Sequence, residues 1–172
     1  MRIRLIAVGQ RMPPWIEAGC EEYMKRLPRE WNFELSAIKP AVRGRESAGR
    51  SAGRSAAGSG PTSAAAGAMQ IEARAIGEAL SPGMRRVVLD ERGVGTTSRE
   101  LVERIERWQR DGRDVALIIG GADGLDPELK RSADETLALS AMTLPHGIAR
   151  VLLLEQLYRA SSVIKGHPYH RD

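Results

Sequence analysis

At 172 residues, with 42% hydrophobic and 28% charged residues, the chain suits a single soluble domain with a substantial core, and excludes disordered, collagen-like and disulfide-scaffold classes. A net charge of +4 and a pI near 9.6 hint at a polyanionic partner. Four arginines (Arg43, Arg45, Arg50, Arg54) against the single Glu46 carry most of that excess, so an arginine-containing loop explains the charge as well as RNA binding does.

Residues 2–8 alternate and then run apolar until Gly9, which predicts a strand. This apolar core is too short, and too interrupted by Arg4, for a signal peptide. No run approaches the roughly 20 apolar residues of a membrane span, so a cytoplasmic protein without a membrane partner is expected. Pro14 suits a first helical turn, and Trp15, Ile16, Cys20, Tyr23, Met24 and Leu27 recur at helical spacing until Pro28. Cys20, the only cysteine, reads as a buried thiol and excludes an intrachain disulfide or a cysteine-built zinc site. Residues 33–38 predict a second strand.

Residues 40–68 are nearly all Ala, Gly, Ser and Arg. They bury too little to offset their ordering entropy, so a flexible low-complexity loop is expected over residues 41–68, with a weak alanine helix over part of it as the alternative. Residues 69–80 predict a helix and residues 85–90 a buried strand, followed by a turn at Gly93 and Gly95. Thr97 and Glu100 form a capping-box pattern ahead of the stripe Leu101, Val102, Ile105 and Trp108. Residues 115–119 predict a third strong strand, Asp126-Pro127 a helix start, residues 139–144 a short strand, and residues 147–164 a long helix.

Strands alternate with helices, so a mostly parallel sheet covered by helices is expected. Ligands of such sheets sit beyond the carboxyl ends of the strands, which nominates residues 89–95, 120–124 and 141–147. The pair Gly120-Gly121 fits either close approach to a planar ligand or a tight turn. GxGxxG at Rossmann spacing and GxxxxGK[ST] are both missing, which argues against nicotinamide and P-loop nucleotides. Pro145-His146 splits two apolar runs and reads as a helix start before it reads as a catalyst. Arg150, Glu155 and Arg159 punctuate an otherwise apolar helix. Either that helix packs against a second subunit, or Glu155 and Arg159 make an i, i+4 pair on a solvated face. The tail HPYHRD holds His167 and His170 at i, i+3 with no Cys, Asp or Glu just before them, so no metal site is expected. Imidazole, Tyr169 and Arg171 better suit recognition of a base or its phosphates.

Taken together, LIAVGQRMPPWIEAGCEEYMKRLP, VVLDERG, WQRDGRDVALIIGGADGL, LSAMTLPHGIARVLLLEQLYRA and GHPYHRD resemble the ribosomal RNA large subunit methyltransferase H family, the pseudouridine N3-methyltransferases of the SPOUT superfamily. Residues 43–68 depart from that pattern. The resemblance implies an α/β fold with a C-terminal trefoil knot, and a homodimer with an S-adenosylmethionine (SAM) pocket at the subunit interface. Carried over by motif, the cofactor-binding residues are Leu89, Gly120, Leu139, Ser140, Ala141, Met142, Thr143 and Leu144. Arg159 and Arg171 are expected to orient the base and stabilise its charge, His170 to take the N3 proton, and Tyr169 to stack on the nucleobase. The implied substrate is 23S rRNA in the large subunit, as the assembled ribosome rather than free rRNA, with no DNA partner. The competing reading is a knotted RNA-binding or ribosome-assembly factor without catalysis, against which the intact HPYHR tail speaks.

Overall fold

The computed structural model describes residues 1–42 and 62–169. Along the chain run β1 (Ile3–Val8), α1 (Pro14–Met24), β2 (Glu34–Ile38), α2 (Ser63–Ala79), β3 (Arg85–Gly95), α3 (Ser98–Asp111), β4 (Val115–Ile119), α4 (Pro127–Arg131), β5 (Glu135–Ala138) and α5 (His146–Ile164). The five strands form one sheet in the order β2-β1-β4-β3-β5, and every pairing is parallel. The expected α/β architecture is therefore present.

Parallel strands covered on both faces become apolar at consecutive positions, and β4, VALII, is buried throughout. Its alternate residues serve different layers. Val115, Leu117 and Ile119 join Ile3, Leu5, Ala7, Val87 and Leu137 against the inner stripes of α1, α3 and α5, including Ile16, Ile105, Trp108, Leu154 and Leu157. Ala116 and Ile118 join Ile6, Val8 and Val88 against Ile76 of α2 and Leu129 of α4. Among the described residues no helix is long and apolar enough to cross a membrane.

The strand expected at residues 139–144 lies earlier. β5 is Glu135–Ala138, and residues 139–145 form the connection to α5. Glu135 is what fixes this register. Its Oε1 accepts from Arg85 Nη1 (3.0 Å) and Trp108 Nε1 (2.7 Å), and its Oε2 accepts from Arg104 Nη1 (2.7 Å). No periodicity rule weighs a carboxylate so favourably inside a strand.

β3 also runs past its expected end. It pairs with β5 through Leu89, shifts register, and pairs again at Val94 and Gly95. Gly93 permits this, because a Cβ there would lie 2.6 Å from the backbone carbon of Leu137. The helix expected from residue 69 begins at Ser63, with the Thr62 hydroxyl accepting from Ala65 N–H. Part of the expected loop, residues 63–68, is thus helical, as the alanine-helix alternative held. Residues 43–61 of that stretch lie outside the described residues. The Thr97–Glu100 capping box is present as the spacing predicts.

At the amino edge of the sheet, two aspartates satisfy strand-start N–H groups. Asp114 accepts from Arg2 N–H (2.7 Å) and Asp134 from Arg86 N–H (2.8 Å). These bonds, foremost among several contacts, hold both carboxyls below their ordinary range. A depressed folded value means tighter proton binding in the unfolded chain, so this stability is complete above the unfolded value of about 3.9 and fades as pH falls below it. The free energy of urea unfolding should stay nearly flat from about pH 7 to 5 and drop below about pH 4. The double variant Asp114→Asn/Asp134→Asn should be weaker at neutral pH and show a shallower acid decline. Glu135→Ala strands one indole and two guanidinium donors, and should cost about 2–4 kcal/mol in the same assay. A loss below about 0.5 kcal/mol would contradict its register-setting role.

Candidate functional site

Because all five strands are parallel, their carboxyl ends share one edge, and the loops leaving them meet there. The loop from β5 to α5 is tied to the middle of β3 by Thr143 Oγ1, which donates to Glu91 Oε2 at 2.6 Å. It is braced internally by Met142 N–H donating to Ser140 Oγ at 2.9 Å. Beneath it, a cavity of ≈ 230 Å³ opens between β3, α3 and α5. Leu89, Leu117, Leu137, Leu139, Leu101, Trp108, Leu152 and Leu153 give it apolar walls, and Thr96, Thr97, Ser98 and Gln156 supply polar groups.

Of the residues nominated for a cofactor, Leu89 and Leu139 line this cavity. Gly120, Ser140, Ala141, Met142, Thr143 and Leu144 do not line it. Ala141, Met142 and Thr143 face outward, Met142 with 69% of its surface exposed. Gly120 is buried at the end of β4, where the chain doubles back through a bridge between Gly121 and Gly124. A Cβ on Gly120 would lie 2.7 Å from the Gly124 carbonyl carbon and oxygen. The glycine pair therefore forms the tight turn that its spacing left open beside the ligand cradle.

The polar face of α5 forms one network. Glu155 Oε1 accepts from Arg159 Nε (3.0 Å) and Nη2 (2.7 Å), while Gln156 Nε2 donates to Glu155 Oε2 at 2.5 Å. The i, i+4 pair is thus real, and it is half-buried rather than solvated. Gln156 Oε1 also accepts from Ser98 Oγ at 2.6 Å, which joins this network to the cavity wall. The tail turns back after Gly166, which ends the helix at φ 65°. Tyr169 then packs on Tyr158 with ring centroids 4.5 Å apart, lies 5.2 Å from the Arg159 guanidinium carbon, and donates to Glu155 Oε1 at 3.4 Å. The structure thus brings Arg159 and Tyr169 together, each engaged by the other. His170 and Arg171 lie outside the described residues.

Sequence reasoning gave no site role to Tyr158, Tyr23, Arg26 or the head of α3. Tyr23 and Tyr158 rings lie 6.4 Å apart, and the Arg26 guanidinium lies within 6 Å of both rings. Tyr23 lies in the last turn of α1 and Arg26 in the turn that follows it, but nothing local says that the tail returns to them.

Arg150, in sequence only a polar interruption of α5, is 3% exposed. Its Nη2 donates to the carbonyls of Val8 (2.7 Å) and Gly9 (2.8 Å), and its Nε has no partner among the described residues. Burial pulls this guanidinium below its ordinary value. Burial first, and the Arg150 charge second, pull His146 down as well, which favours a neutral imidazole at the head of α5. Gly9 sits at φ 123°, where a side chain is strained, and a Cβ there would push on the ends of the Met12 and Arg150 side chains, 2.4 Å from Met12 Cε and 2.9 Å from Arg150 Nη2.

Comparison with known proteins agrees with this geometry. A family model described as "Predicted SPOUT methyltransferase" matches residues 1–170. Proteins named ribosomal RNA large subunit methyltransferase H are similar over the whole chain. The one from Methylibium petroleiphilum is 52% identical over 172 residues, covering 100% of both chains. The one from Dechloromonas aromatica is 48% identical over 172 residues, 100% of this chain and 99% of its own. Among solved structures, a probable methyltransferase from Bordetella pertussis superposes with a TM-score of 0.55 at 18% identity, over 92% of this chain and 95% of that one. At that identity the likeness concerns the fold alone.

The Tyr169 environment can be read out by titration. Burial, then a hydrogen bond with Tyr23 and the neighbouring Glu155 charge, push its phenol up to about 12. In an ultraviolet pH titration of the three tyrosines, Tyr169 should ionise last, and Tyr169→Phe should remove that late phase. A late phase that survives the substitution would mean the tail does not pack as described.

Proposed function

The chain belongs to the SPOUT methyltransferase family, and we propose that it carries a methyl group from SAM to N3 of a pseudouridine in 23S rRNA, acting on the assembled ribosome as a homodimer in the cytoplasm. One observation carries this reading: about half of all positions are identical, over the full length, to proteins named for methylating large-subunit rRNA. The same membership supports a trefoil knot through the C-terminal strands and α5.

The cavity fits such a donor in chemistry. Leucine and tryptophan walls suit an adenine ring, and the Thr97, Ser98 and Gln156 side chains supply hydrogen-bonding groups for polar ends. At ≈ 230 Å³ it falls below the roughly 300–1,000 Å³ of common ligand pockets, which supports a second subunit completing the walls. Leu89 and Leu139 would pack on the ligand. The backbone of residues 140–144, presented outward, would hold it from the loop side, and the Gly120 turn would keep the β4 end out of its way.

When bound, SAM supplies an electrophilic methyl group on a sulfonium, so the chain mainly positions the acceptor in line. Loss of the N3 proton spreads negative charge onto the two flanking carbonyl oxygens of the base. Arg159 holds Glu155 with Nε and Nη2, which leaves Nη1 to meet that charge. His170 is proposed to take the proton, because a neutral imidazole titrates near physiological pH. Arg171 is proposed to hold the base or its phosphate, and Tyr169 to stack on the base once released from Tyr158.

The deciding experiment is transfer of label from radioactive SAM to ribosomes lacking the modification, with the modified nucleotide mapped by mass spectrometry. Label at N3 of one pseudouridine is expected; no transfer, or transfer to another position, overturns the assignment. Arg159→Ala should lower kcat about 100-fold while SAM affinity by calorimetry is kept. Gly120→Val, whose side chain would drive into the Gly124 backbone, should lose SAM affinity outright.

A further inference from the structure

We propose that the Tyr158 ring, with Arg159 and Glu155 beside it, is the seat of an unstacked nucleobase of the RNA, and that Tyr169 occupies this seat until RNA displaces it. The inference rests on the rRNA methyltransferase reading and names a subsite for its substrate.

The groups around Tyr169 are of the kinds that a flipped pyrimidine would use. The Tyr158 ring lies 4.5 Å away and is tilted by 59°, so a base would lie flatter on it than Tyr169 does. One guanidinium is 5.2 Å from the ring centroid, and one carboxylate oxygen faces the polar edge at 3.4 Å. Stacking between an aromatic side chain and a guanidinium, with hydrogen bonds at the base edge, is how proteins hold bases taken out of a stack. The seat is also built to outlast its occupant. Tyr158 is backed by Tyr23, and Arg26 reaches both rings. Glu155 keeps its bonds to Arg159 and Gln156 without Tyr169.

The occupant is held at its hydroxyl by Tyr23 and, at the long limit for such a contact, by Glu155, and it sits at the end of an exposed segment, Gly166, His167 and Pro168. A ring N–H in the same place would give Glu155 a charge-assisted hydrogen bond, which is shorter and stronger. The location suits the chemistry too, since Gln156 both lines the cavity and bonds Glu155.

Two measurements decide the matter. In binding of pseudouridine 5′-monophosphate followed by calorimetry, Tyr158→Leu should bind about ten- to a hundredfold more weakly than wild type, because the stacking platform is gone, and saturating nucleotide should shift the Tyr169 ring resonances of wild type as Tyr169 leaves the seat. Equal binding, or no binding by either protein, overturns the proposal. In methyl transfer to ribosomes lacking the modification, Tyr158→Leu should lower kcat/KM about ten- to a hundredfold with SAM affinity unchanged, and Tyr158→Phe should restore it, since only the ring is used. A Leu variant with wild-type kcat/KM, or a loss that Phe does not rescue, also overturns it. If wild type itself methylates no ribosome, the rRNA reading falls, and the nucleotide titration still decides whether the seat takes a base.

Discussion

The direction of the strands governs the rest of this molecule. Five parallel strands cannot be joined by tight hairpins, so each connection crosses a face of the sheet and every carboxyl end falls on one edge. That constraint puts the Gly9 turn, the Gly93 bulge, the Gly120–Gly124 turn and the loop to α5 side by side. Their sequences are far apart, yet they form one rim. The opposite edge has a purely structural part. There Asp114, Asp134 and Glu135 satisfy backbone, guanidinium and indole donors, and the chemistry is that of holding strand starts in place.

Two glycines on the rim answer a steric demand. Gly93 lets β3 pass against the Leu137 backbone, and Gly120 lets the turn close on Gly124. These demands are internal to the fold, and they shape a cleft without touching anything placed in it. A substitution at either position would alter ligand binding by moving the walls. Loss of binding there would report on the architecture of the rim, whereas changes at Arg159 or Tyr158 would test the substrate contacts proposed for them.

Much of the fold was legible in the residues, because apolar periodicity tracks burial directly. VALII could be little other than a covered strand, and Thr97 with Glu100 announced α3 before any contact was known. What could not be read from local pattern depended on distant partners. β5 is anchored by Glu135, whose donors come from β3 and α3, so a window confined to residues 135–144 favoured the more apolar half. The site divided in the same way. Leu89 and Leu139 were found at the cavity, while residues 141–143 turn outward. Local pattern gives Tyr158, Tyr23 and Arg26 no site role, because their meeting depends on the return of Tyr169. Arg150 looked like an interruption in a greasy helix, since its carbonyl partners belong to the other end of the chain.

That last contact bears on how the protein comes into being. Arg150 reaches Val8 across 142 positions in sequence, so the carboxyl end of the first strand stays uncapped until the final helix has been made. Loop closure over such a span is entropically slow. The contact that closes the end of β1 therefore forms only after α5 has been synthesised.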